Sequence, residues 1–161
     1  MELRIEEAGD LAAIRAVHEE SFPTRSEADL VDRLRADGDA VLSLVAVLEN
    51  EIVGHVMFSV MRTPPRTLGL GPVAVLTLHR RRGIAADLIR AGLKSAQQKG
   101  WKGVFVLGDP SYYCRFGFDS ALAAGFTSRY AGPHLMGLAL KSEGLSQKGS
   151  LEYANAFGAL G

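Results

Sequence analysis

Val73-Ala-Val-Leu-Thr-Leu-His-Arg-Arg-Arg-Gly-Ile-Ala85 carries an apolar strand through an arginine-rich turn directly into a helix. A helix that starts near Gly83 presents backbone amides without intrahelical partners and the positive end of its dipole. Gly83 and Ala85 are small enough to let a phosphate approach those amides, and Arg80, Arg81 and Arg82 add positive charge beside them. Three arginines in a surface turn are by themselves ordinarily just solvated. The surrounding pattern therefore decides how the turn is read.

Downstream of the turn, Ile84, Leu88, Ile89 and Leu93 define one helical face that ends at Gly100, and Val104-Phe-Val-Leu107 reads as a short buried strand. Strand, helix, strand implies a parallel crossover. Upstream, Leu68 to Leu76 is an extended apolar run, set off by the non-donating Arg62-Thr-Pro-Pro-Arg66 loop. Val41–Leu48 and Ile52–Met61 form a hairpin about Glu49-Asn50-Glu51. Before it, Leu3-Arg-Ile5 predicts a strand, Leu11, Ile14 and Val17 a helix that stops by Pro23, and Leu30, Val31 and Leu34 a second helix that starts at Ser26 and ends near Gly38. After the crossover, Asp109-Pro110 predicts a capped short helix through Tyr112 and Tyr113. His134–Leu140 and Leu151–Tyr153 predict closing strands around the turn at Gly144 to Gly149.

Two other nucleotide motifs fail on context. Gly69-Leu-Gly71-Pro-Val-Ala74 has the spacing of a dinucleotide fingerprint, but a double-proline loop precedes it and a strand follows, where the fingerprint needs a strand and then a helix. No G-x-x-x-x-G-K-[ST] occurs, so there is no P-loop. The 161 residues, 47% hydrophobic, suffice for one core and predict a single domain over residues 1–161. Eighteen basic residues balance eighteen acidic ones, which argues against nucleic acid or an anionic membrane as partner. One cysteine, Cys114, permits no intrachain disulfide and is expected in the core; with an N-terminus lacking an apolar signal region, this predicts a cytoplasmic protein.

Arg80-x-x-Gly83-x-Ala85 resembles the pyrophosphate signature Q/R-x-x-G-x-G/A of the GNAT superfamily of N-acetyltransferases, in the family's setting between strand four and helix three. Tyr113-Cys-Arg-Phe-Gly-Phe118 resembles the family's Y-x-[KR]-x-G-F segment after strand five. Val106–Phe118 and Tyr153-Ala-Asn-Ala-Phe157 are similar to the YhbS-like branch of that family, so the likeness spans essentially the whole chain. One departure is Arg81, where many members have glycine.

The resemblance implies an α/β (α+β) GNAT fold, a mixed sheet of about six to seven strands flanked by helices and splayed between strands four and five. It implies acetyl-CoA as cosubstrate, with pantetheine along Val73, Ala74 and Val75 and pyrophosphate on Arg80, Arg81, Arg82, Gly83, Ile84 and Ala85. It makes the Val75 amide the oxyanion donor and Tyr113 the acid for the departing thiolate, with no metal. Tyr112 is expected only to pack. The implied partner is an amine acceptor, the protein being a monomer or homodimer. No carboxylate stands on the Leu68–Leu76 strand, so Glu27 and His55 are the candidates for the general base. Their ordinary roles are a first-turn helix charge and a half-buried strand residue. The alternative function is an acyl-CoA-binding module without turnover, distinguished by a plugged rather than open acceptor cleft.

Overall fold

The computed structural model describes residues 1–160. Six strands, β1 (Glu2–Ile5), β2 (Ala40–Leu48), β3 (Glu51–Val60), β4 (Thr67–Val75), β5 (Gly103–Leu107) and β6 (Leu135–Ala139), form one sheet in sequence order. All neighbours are antiparallel except β4 and β5, which are parallel. The crossover between those two is α3 (Ile84–Gln98). The β2–β3 turn places Glu49 and Asn50 at φ 50° and 65°, the twist a two-residue hairpin requires.

Each sheet face is covered. Helix α3 lays Ile84, Leu88, Ile89 and Leu93 against Leu44, Phe58, Leu68 and Val106, and Gly92 leaves the room that the Phe58 ring fills. On the other face, α1 (Leu11–Ser21) and α2 (Ser26–Ala36) bury Ile14, Val31 and Leu34 against Val45 and Met57. Adjacent strand residues thus serve opposite layers, as the pleat demands.

The feature that makes the site is a bulge in β4. Val56 pairs with Val73 and Phe58 with Leu70, so Gly71 and Pro72 together oppose Met57, with Gly71 at φ 140°. A bulge bends its strand. The parallel β4–β5 register ends at Leu70 and Val106, immediately before it, and the two strands part there.

The predicted strand Leu151–Tyr153 is corrected to an isolated bridge. Glu152 pairs with Thr63, and Ser150 with Thr127, but no ladder forms. Pro64 and Pro65 follow Thr63 and have no N–H to extend the pairing, although Leu151 and Tyr153 are both buried. Short helices α4 (Pro110–Tyr113) and α5 (Ser120–Ala123) fill the segment between β5 and β6. Asp109 caps α4 by accepting from the Ser111 amide at 3.0 Å, with Pro110 in the first turn.

Candidate active site

The splay has two sides. On the first, β4 runs into the short turn Thr77–His79, and Gly83, at φ 78°, caps α3. The first helical bond is accepted by Gly83 O from Asp87, so the amides of the preceding turn have no helical partner. They border a cavity of about 410 Å³ lined by Val75, Arg80, Arg81, Gly83, Ala85 and Arg115 among others. Arg81 sits at φ 66°, a conformation glycine adopts freely, so the departure from the family motif carries local strain while keeping the turn.

Of the nominated cofactor residues, Val75, Arg80, Arg81, Gly83, Ile84 and Ala85 line this cavity; Val73, Ala74 and Arg82 do not, and Arg82 Nη1 lies 3.4 Å from His79 Nδ1. Arg80 Nε donates to Val75 O at 3.1 Å. Four lining residues were not nominated, His79, Ala86, Tyr112 and Arg115. The Arg115 guanidinium stacks 4.4 Å over the Tyr112 ring while its Nε donates to Tyr112 O. Its signal was the basic position of the Tyr113–Phe118 motif.

The β4 backbone narrows the pantetheine edge. Leu76 donates to Val53 O, so strand alternation turns Ala74 toward β3 and leaves Val73 and Val75 facing the splay. Val75 O agrees, since it accepts from Arg80 and from Ser21 Oγ rather than from β3. Ala74 is thereby removed from the three predicted backbone partners.

On the second side lies a cavity of about 270 Å³ bordered by Glu27, Leu70, Pro72, Leu107, Tyr153 and Phe157 among others. Glu27 Oε1 and the Tyr153 hydroxyl are buried without hydrogen-bond partners. Both residues line the cavity, and a buried polar group left without a partner in a native fold calls for a structural or functional reason. Tyr113, nominated as the acid, lines neither cavity. Its ring rests on Gly108, where a Cβ would sit 2.5 Å from Cε2, and it packs edge-on against Tyr112 and Phe118. Burial, and to a lesser degree Tyr112, pushes its pKa up to about 12, so the hydroxyl is protonated throughout the neutral range.

His55 does not reach either cavity. It is fully buried rather than half-buried, with Nδ1 2.8 Å from His18 Nε2 and Nε2 2.7 Å from Ser43 Oγ, which in turn bonds Glu6. Both ring nitrogens are occupied, so it has no free position for a substrate proton. Cys114 is exposed, not in the core, because the inward positions of its turn are taken by Tyr113 and Phe116. Among the described residues, no cluster of three or more histidine, cysteine or acidic side chains is arranged to hold a metal, and no helix is long and apolar enough to cross a membrane.

The histidine pair sets a pH dependence. Burial first, and Arg35 second, push His18 down to about 4, and burial together with His18 and Arg35 holds His55 well below the ordinary histidine range. The unfolded chain takes up these protons near pH 6.5 and the native state does not, so stability falls as pH drops from about 6.5 toward 4. His18 alone should cost about 2 kcal/mol between pH 7 and pH 5, a melting shift of roughly 4–8 °C. Melting curves at the two pH values, repeated on His18→Gln, check this; an unchanged melting temperature in the wild type contradicts the buried neutral pair.

The profile of the Acetyltransferase (GNAT) family matches residues 11–118. The chain belongs to this family. It is 38% identical over 136 residues to the uncharacterised N-acetyltransferase YhbS of Escherichia coli K12, covering 82% of this chain and 81% of that one. The crystal structure of Escherichia coli YhbS in complex with CoA superposes with TM-score 0.93 at 33% identity, covering 99% of this chain and 93% of that one. A Brucella melitensis GNAT acetyltransferase in complex with acetyl-CoA gives TM-score 0.83, also at 33% identity, over 97% of each chain. This GNAT protein is therefore an N-acetyltransferase by family and fold, and its six-stranded sheet parts between β4 and β5.

Proposed function

We propose that residues 1–161 form a single catalytic domain that binds acetyl-CoA in the cavity at the start of α3 and transfers the acetyl group directly to a primary amine in the adjoining cavity. The pyrophosphate sits on the amides of residues 81–85, with Arg80, Arg81 and Arg115 as the counter-charges. That placement uses the dipole, the open Gly83 and the guanidinium groups together. CoA and acetyl-CoA bound in the two similar crystal structures support acetyl-CoA as the ligand.

In the reaction the amine nitrogen attacks the thioester carbonyl, and the negative charge on oxygen is received by the Val75 amide that faces the splay. Collapse breaks the carbon–sulfur bond and expels the thiolate toward the Tyr113 hydroxyl. A thiol of ordinary pKa about 8.5 is a stronger acid than a hydroxyl at about 12, so full proton transfer to a free thiolate is uphill. Tyr113 therefore acts by donating a hydrogen bond to the sulfur as its charge develops, and the thiolate takes its proton from solvent once it has left. The amine's proton goes to Glu27.

The observation that carries the reading is the open cavity lined by Glu27, whose Oε1 is buried without a hydrogen-bond partner. A module that binds without turnover would have this space filled. The test is acetyl-CoA consumption across classes of amine, with Glu27→Gln beside the wild type. The variant should lose on the order of a hundredfold in turnover at neutral pH and recover part of it as pH rises and more amine is already neutral. Equal rates for both proteins at all pH values would remove Glu27 as the base.

A further inference from the structure

The acceptor cavity shares a wall with a second cavity of about 410 Å³. The shared wall is three rings in contact, Tyr130 edge-on to Tyr153 and Phe157 tilted against it, with centroids 5.6 Å and 4.9 Å apart in succession. Tyr153 is fixed in it by Gly69: a Cβ there would lie 2.7 Å from the tyrosine ring, which also accounts for a glycine in the fingerprint-like Gly69–Ala74 run. Tyr153 lines both cavities, and its hydroxyl is buried without a hydrogen-bond partner.

The two spaces carry opposite charge. Glu27 is the one charged residue lining the inner cavity. The outer cavity has Arg62 and Arg129 against Glu152, two positive charges to one negative among the described residues. Both arginines are exposed, and among the described residues neither forms an ion pair; Arg129 lies 5.2 Å over the Tyr130 ring instead. A guanidinium held in this way retains all its in-plane donors for a carboxylate or phosphate.

We propose that the acetyl acceptor is bifunctional: a primary amine received by Glu27 in the inner cavity, joined by a short chain across the aromatic rim to an anionic group held by Arg62 and Arg129. The inference rests on the acetyltransferase reading above. The anion is a carboxylate or a phosphate. A diamine is disfavoured because its second cation would meet the arginines.

The test measures initial rates of acetyl transfer by the full chain to 1-aminobutane, 1,4-diaminobutane, 4-aminobutanoate and 3-aminopropyl phosphate. The two anionic amines should exceed the neutral amine in kcat/KM by about tenfold or more, the better of them identifying the anion, with the diamine poorest. Arg62→Gln/Arg129→Gln should remove that preference through KM rather than kcat. A diamine or neutral amine used as well as the anionic ones, or a preference that survives in the double variant, overturns the proposal. Melting curves with acetyl-CoA separate the two levels. A stabilised protein that transfers to none of the four amines overturns this acceptor alone, whereas no stabilisation by acetyl-CoA overturns the acetyltransferase reading and this proposal with it.

Discussion

Tyr113→Phe is expected to lower single-turnover acetyl transfer by about a hundredfold, with acetyl-CoA affinity changed by no more than a few fold, while Tyr112→Phe does little. The phenylalanine ring keeps the seat on Gly108 and the edge contacts to Phe118 and Tyr112, so only the hydroxyl is lost. Tyr112 lines the cofactor cavity through its ring, under Arg115, and its own phenylalanine variant preserves that stack. Rapid mixing is the appropriate readout, because slow product release would conceal a change in the chemical step. Transfer at the wild-type rate in both variants would show that the thiolate departs without Tyr113.

Gly83→Glu is expected to weaken acetyl-CoA binding by a hundredfold or more in a protein that still folds. Nothing lies within 4 Å of a Cβ at Gly83, so the side chain meets no steric obstacle, but at φ 78° any side chain carries about 1 kcal/mol of backbone strain. Gly83→Ala carries the same strain without the charge and is the control. A carboxylate about 5 Å from a phosphate costs roughly 3 kcal/mol per unit charge at an effective dielectric constant of about 20, enough for two orders of magnitude. Calorimetry should therefore separate the variants, alanine binding within several fold of wild type. Equal loss in both would assign the effect to the turn's conformation rather than to an anion at the helix start.

The cofactor side was legible in the sequence because it is local. Strand, turn, glycine cap and helix lie within Val73–Ala85, and the capping of α4 lies within Asp109–Tyr113. The acceptor side was much less so. Its wall brings Glu27, Leu70, Leu107, Tyr130, and Tyr153 with Phe157 together from five separate segments, and no spacing rule joins them. His55 shows the same limit: alternation places it on a strand, but its burial depends on His18, 37 residues away, and on Ser43. The Leu151–Tyr153 segment has the alternation of a strand and fails to become one because its pairing partner runs into two prolines. The β4 bulge was hidden for a different reason. In the sequence Gly71-Pro72 falls inside the extended run Leu68 to Leu76, and only the register with β3 shows that it opens the sheet.

An acetyl-CoA titration followed by amide ¹⁵N–¹H spectra tests the central claim most directly, and at 17.3 kDa the chain is of a suitable size. The largest shifts should fall on the amides of residues 81–86 and on Val75, at the start of α3 and the open edge of β4. Saturating acetyl-CoA that leaves those amides unmoved, or that perturbs a different face of the sheet, would contradict the account.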